Sequence, residues 1–317
     1  MNIDYSREFQ AIVEAYEKAG GDSKGILDSH FGSLVISGDK VLAKNEITGL
    51  VIKTRKIKDG VAVKVYVEDG INLGFPVHLC FGMLPKEGRQ VIRSEFFIGK
   101  NSKVNFISHC SFPNAKHIVH IMDSKAHISA GGEMKYTETH FHSMSGGVEV
   151  FPKLRGEIGN GGRLYEEFKL VIGRVGLLKI DYEVEQGKKS ICELNTKIFG
   201  KKDDKIEVRE AIHLNGDHAN GMAKSRLVLK DKAYGYVLGE IEGNAPYSRG
   251  HTDCEEIIQG EGAVAESTPA ISVRNHLAKV THEASIGRID KKELETLMAR
   301  GLTEDEAVDV IVEGILK

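Results

Sequence analysis

Apolar positions recur along this chain with two different periods, and the switch between them divides it into three parts. Phe9, Ile12, Val13 and Tyr16 fall on one helical face, and Gly20-Gly21 ends the run, which predicts an amphipathic helix near the start. From about Phe31 the period becomes two. Val61, Val63, Val65 and Val67 alternate with Ala62, Lys64 and Tyr66, and Ile180, Tyr182 and Val184 alternate with Asp181, Glu183 and Glu185. Ile206, Val208, Ile212 and Leu214 share one phase, interrupted only by Glu210. The last thirty or so residues return to the helical period. Asp290-Lys291-Lys292-Glu293 reads as a capping box ahead of Leu294, Leu297 and Met298, and Gly301 closes that helix. Thr303-Glu304-Asp305-Glu306 is a second capping box, followed by Val308, Ile311, Val312 and Ile315. The expected organisation is a helical segment over 1–30, a strand-rich core over 31–286 and a helix pair over 287–317.

About 250 residues of strand with almost no helix leave a sandwich, a barrel or a β-solenoid. No clean sequence repeat chooses among them. Composition strengthens the β reading: 35 glycines against 6 prolines in 317 residues suit many tight turns, because glycine alone takes positive φ cheaply.

With 43 basic and 46 acidic residues the formal charge is -3, which argues against a dedicated nucleic-acid binder. The terminal helix pair does not alter this, since Glu304, Asp305, Glu306, Asp309 and Glu313 make its second helix acidic. A surface for docking another protein is the better reading of that pair, with ordinary terminal packing as the alternative. No apolar run approaches the roughly 18 residues of a membrane-spanning helix, and Met1-Asn2-Ile3-Asp4 opens no signal peptide, so a cytoplasmic location is expected. The four cysteines, Cys80, Cys110, Cys192 and Cys254, show no paired spacing, hence neither a disulfide framework nor a zinc ribbon.

Several stretches carry possible chemistry. Glu138, His140 and His142 share one strand phase, so they read either as a cupin-like metal set or as the polar outer face of a strand. His109-Cys110, His117, His120 and His127 could bind iron or zinc, but scattered histidines more often lie on the surface or in hydrogen bonds and Cys110 more often in the core, and that reading is preferred. Gly260-Glu261-Gly262 opens a formal dinucleotide fingerprint, but no βαβ unit surrounds it, and no G-x-x-x-x-G-K-[ST] loop occurs anywhere, so the chain has no ATP-binding motif of its own. The densest cluster is His251-Thr252-Asp253-Cys254-Glu255-Glu256, followed by Thr281-His282-Glu283. Thiolate with carboxylate or imidazole suits iron and sulfide. Strand alternation puts His282 and Glu283 on opposite faces, so joint binding needs a bulge or an interface.

The C-terminal third resembles the SufB/SufD family of iron–sulfur cluster assembly scaffolds. The resemblance runs through Thr252-Asp253-Cys254, Thr268-Pro269, Val273-Arg274-Asn275, His282-Glu283-Ala284-Ser285-Ile286-Gly287-Arg288 and Arg300-Gly301-Leu302-Thr303-Glu304-Asp305-Glu306-Ala307. It is closer to SufB than to SufD, whose chains carry glycine where this one has Glu283. It implies a right-handed parallel β-helix with helical ends. It also implies Cys254, Glu283 and His282 as the cluster or iron site and Cys192 as the family's second cysteine; Asp253, Glu255, Glu138, His140 and His142 are secondary candidates on their residue chemistry alone, with no role carried over from the family. Docking of a SufC-like ABC ATPase falls to the terminal helices, through Leu294, Leu297, Met298, Arg300, Gly301, Leu302, Glu306, Ala307 and Ile311. SufB chains are commonly longer on the N-terminal side; this one is similar to the short form of minimal two-component systems, in which one scaffold pairs with itself as a homodimer.

The function so implied is non-enzymatic: a scaffold holding a transient iron–sulfur cluster, receiving sulfur from a donor and passing the cluster to apo iron–sulfur proteins. Two alternatives stand beside it, a cupin-like metal enzyme built on Glu138, His140 and His142, and a SufD-like structural subunit without a cluster site of its own.

Overall fold

The structure, a computed structural model, describes residues 2–3, 7–18 and 20–316. Strands account for 59% of it and helices for 12%, and the strands wind into a β-solenoid of about eight turns. From Val77–Gly82 onward, successive strands alternate between an eleven-stranded and a nine-stranded sheet, each pairing in parallel with its neighbours in the coils before and after. Lys103, Glu133, Arg163, Ile191, Asn220, Arg249 and Lys279 therefore stack in one column. Each coil takes about 30 residues, within the usual range for solenoid repeats. Parallel pairing throughout this core also sets it apart from the antiparallel jelly roll that a cupin would need.

Alternation supplies the interior. Along Lys205–Leu214 every second side chain is buried between the sheets while most of its neighbours, Ala211 excepted, stay at least part-exposed, and the same alternation repeats from strand to strand. Val61, Val63, Val65 and Val67 face inward, as do Ile180, Tyr182 and Val184. The coil turns explain why the repeat is silent in the sequence. Asn101, Gly131, Gly161, Lys189, His218 and Tyr247 occupy equivalent turns, all with positive φ, yet they are five residue types. Stacking fixes the backbone there and leaves the side chain free.

The ends differ from the middle. Near the start, Ser33–Ser37 pairs with Lys40–Asn45 and Leu50–Ile57 with Gly60–Val67 as antiparallel hairpins. The helix Arg7–Lys18 lays Phe9, Ile12, Val13 and Tyr16 on the outer face of the larger sheet, against Val35, Leu42 and Cys80. A short helix, Ser23–Leu27, follows it. At the other end Lys291–Met298 is capped by the Asp290 side chain, which accepts from Glu293 N at 2.9 Å. Glu304–Leu316 starts with a reciprocal box in which Thr303 N donates to the Glu306 carboxylate and Glu306 N donates to Thr303 Oγ1. Val308, Val312 and Leu316 of this helix pack on Phe199, Val228 and Ile257, so the helix lies along the solenoid wall.

Candidate functional site

The last coil, Val264–Val273 and Lys279–Arg288, has nothing stacked beyond it among the described residues. Its apolar side chains are left uncovered, with Val273 50% and Ile286 48% exposed. This open rung carries His282 and Glu283, and Cys254 lies on the strand it covers. Cys254, on Arg249–Gln259, pairs laterally with Ala284 and Ser225, and its thiol turns into the solenoid, leaving the residue 2% exposed. Burial raises the thiol pKa, an effect that the Ser225 and Ser267 hydroxyls partly offset. His282 pairs with Thr252 and so shares the inward phase of Cys254, yet it is exposed because the rung is terminal. Glu283 pairs with Asp253 and faces outward.

The register between these two strands runs without a shift, so no bulge brings Glu283 round to the thiol. Within one chain the two lie on opposite faces of the sheet. Asp253 and Glu255 are also outward and already engaged: Arg226 Nη2 meets Asp253 at 2.5 Å and Arg226 Nε meets Glu255 at 2.8 Å. Cys192 is buried inside, but its lateral neighbours are Leu164 and Gly221, and the row through Thr196 and Ser225 to Cys254 lies further along the strands. Burial pushes its thiol well above the usual range.

Sequence reading missed the carboxyl groups inside the solenoid. Glu166, Glu210 and Glu256 are each at most 4% exposed. Burial pushes Glu210 up to about 8, offset in part by the Thr196 hydroxyl, which donates to it at 2.6 Å. Glu256 is pushed up to about 7, again chiefly by burial. Two residues from Cys254 on the same inward face, Glu256 gives the thiol a protonatable neighbour. The available signal was an acidic residue in the apolar phase of an alternating strand, as Glu210 is between Val208 and Ile212.

Glu138, His140 and His142 also turn inward, at 3%, 0% and 2% exposure, which overturns the reading of a polar outer face. These three escape a simple hydrophobicity pattern because His140 is hydrogen-bonded to Glu138 and to His142, which meets the Arg174 carbonyl. His117 and His127 stay on the outside, whereas Cys110 and His120 are buried within the core and His109 lies under the first helix against Tyr16. The Gly260–Gly262 stretch is a turn between strands, with Gly260 at φ 102°, and opens no helix.

Of the residues expected to meet a partner, Met298, Arg300, Gly301 and Glu306 are exposed and Leu294, Leu297, Leu302 and Ile311 part-exposed. Ala307 is fully buried against the solenoid, because it sits on the helix face that Val308 and Val312 fill.

Residues 83–315 match the family model described as SUF system FeS cluster assembly, SufBD core domain. The chain is 36% identical to an iron–sulfur cluster assembly SufBD family protein of Methanocaldococcus jannaschii over 99% of both chains. It is likewise 36% identical to one of Pyrococcus horikoshii, over all of this chain and 96% of the other. A second Pyrococcus horikoshii relative is 28% identical, with 96% of this chain aligned to 66% of that longer protein.

Proposed function

The chain belongs to the SufBD family of iron–sulfur cluster assembly proteins, and from that premise we propose that it is a cytoplasmic scaffold that holds a transient cluster at its open last coil. Cys254 supplies a thiolate, Glu283 a carboxylate for iron, and His282 an imidazole that ligates or takes a proton. The observation that carries this reading is the split placement of Glu283, on the last rung, and Cys254, on the strand it covers, facing opposite sides of the sheet at an end that nothing covers among the described residues. A second scaffold chain closing on that rung, a homodimer partner in the first instance, buries its apolar edge and completes a ligand set that one chain cannot assemble.

The chemistry of this chain is binding, and ATP hydrolysis belongs to a SufC-like ABC ATPase gripping the terminal helices. Ala307, Val308 and Val312 fix the helix Glu304–Leu316 to the wall. Movement of that helix by a nucleotide-driven partner is thereby transmitted to the coils beneath, and it shifts the population between closed and open rungs. The cluster is cargo, loaded from a sulfur donor and released to apo iron–sulfur proteins.

The test is anaerobic co-purification of the chain with its ATPase, followed by iron and acid-labile sulfide analysis. Wild type should hold iron and sulfide in matching amounts, and Cys254→Ser and Glu283→Ala should each lose both. Equal retention by the two variants would overturn this site.

A further inference from the structure

One buried cluster lies outside the proposed site, in the early coils. Cys110 and His140 are lateral partners in the larger sheet, and His120 reaches them from the smaller sheet across the interior. The Cys110 thiol, one nitrogen of His120 and one of His140 all lie within 4.8 Å of one another, and each residue is completely buried. We propose that these three side chains bind a single zinc-class metal ion, which pins the two sheets together inside the solenoid.

The hydrogen bonds around the cluster favour an ion there. Neither ring nitrogen of His120 has a partner among the described residues, although the ring sits in the dry core beside Phe112. Buried imidazole nitrogens are nearly always satisfied, so an orphaned ring aimed at a thiol and a second imidazole calls for a ligand. The tautomers of the neighbours agree. His142 Nδ1 faces the Arg174 carbonyl at 3.1 Å and must donate to it. Its Nε2 is therefore a lone pair, pointing at His140 Nδ1 from 3.1 Å. On the other side His140 Nε2 meets the Glu138 carboxyl at 2.7 Å, the carboxylate–histidine pairing that orients metal-bound imidazoles. With Nε2 donating to Glu138, His140 Nδ1 is free to ligate.

His142 stands beside this three-residue set, 3.1 Å from His140 Nδ1, and the fourth position of a tetrahedral ion is left to a water. The ladder also breaks here: pairing with Arg163–Ile172 shifts register between His140 and Phe141, as bulges do where a side chain must be re-aimed. Thiolate with imidazoles selects zinc-class ions over magnesium or calcium. Burial seals the position from substrates, so the ion is structural and enters during folding. Four strands of the larger sheet separate Cys110 from Cys254, which keeps this ion distinct from any cluster at the open rung.

The experiment is elemental and sulfide analysis of purified wild type, Cys110→Ser, His120→Leu and Cys254→Ser. Each is measured as purified, after native dialysis against a chelator, and after refolding with Zn2+ or Co2+. The expected result is about one zinc per wild-type chain without matching sulfide, surviving native dialysis and unchanged in Cys254→Ser. Cobalt-refolded wild type should show thiolate-to-cobalt charge transfer that Cys110→Ser lacks. His120→Leu, whose side chain suits the apolar surroundings, should fold by circular dichroism yet hold at least tenfold less metal. Wild type without stoichiometric metal after both purification and Zn2+ refolding would overturn the proposal. So would metal content equal to wild type in both His120→Leu and Cys110→Ser.

Discussion

Glu283 and Asp253 are lateral partners in the last ladder of the solenoid, so Glu283 projects from the face opposite the one into which Cys254 turns. That relationship separates the two residues by environment as well as position: the thiol is buried and the carboxylate is exposed. Their variants should differ in kind. Glu283→Ala should leave stability within about 0.5 kcal/mol of wild type, as surface changes do, while removing iron and sulfide. Thermal unfolding and metal analysis on one preparation check this, and a large loss of stability would make Glu283 a structural residue.

Glu210 makes stability fall as pH rises. Its carboxyl stands at about 8 in the folded chain, above the ordinary value near 4.5, because burial disfavours the charged form. The folded state thus keeps a proton that the unfolded state gives up. Between about pH 5 and 8 unfolding should become easier by up to about 1.4 kcal/mol per pH unit from this group, and level off above. Glu256, at about 7, adds to the lower part of that window. Urea titrations at several pH values should show the decline, and Glu210→Gln should flatten it.

Val312 anchors the terminal helix. It is 1% exposed and packs in the cluster with Phe199, Val228 and Ile257. Val312→Ala should cost roughly 1–3 kcal/mol of local packing. Hydrogen exchange should speed up over residues 304–316 while the strands keep their protection. Binding of the ATPase partner should weaken in parallel.

Gly173 sits at φ 92°, and a Cβ there would come within 2.0 Å of the His142 carbonyl oxygen. Both the backbone conformation and the space exclude a side chain. Gly173→Ala should therefore destabilise by more than about 1 kcal/mol, measurable as a lower denaturant midpoint. By disturbing the backbone of His142 it should also reduce metal retention in the early coils.

Legibility followed the range of the interactions involved. The period-two runs around Val61–Val67 and Ile180–Val184, the Asp290 cap and the Thr303–Glu306 box are local, and each stands where the chain's own pattern puts it. Cys254, His282 and Glu283 were legible as a motif, and strand alternation alone already set His282 and Glu283 on opposite faces. The interior polar groups were not. Glu210 was visible only as an exception in an apolar phase, and His120 looked like one of several scattered histidines until the coils stacked it beside Cys110 and His140.

What the sequence by itself determined is the succession of elements: a helix, a long run of alternating strands cut by glycine turns, and two capped helices with one apolar stripe each. Those depend on neighbours a few residues apart. Pattern alone left sandwich, barrel and solenoid open until the family resemblance pointed to a parallel β-helix, and only the tertiary structure decided its repeat of about 30 residues, that Cys254 is buried while the rung beside it stays open, and that Cys110 meets His120. Each of these rests on backbone pairing between positions one coil or more apart, and many residue types satisfy that pairing equally well. The six turn positions from Asn101 to Tyr247 share one backbone conformation across five residue types, which is why the coil had to be folded before its contents could be read.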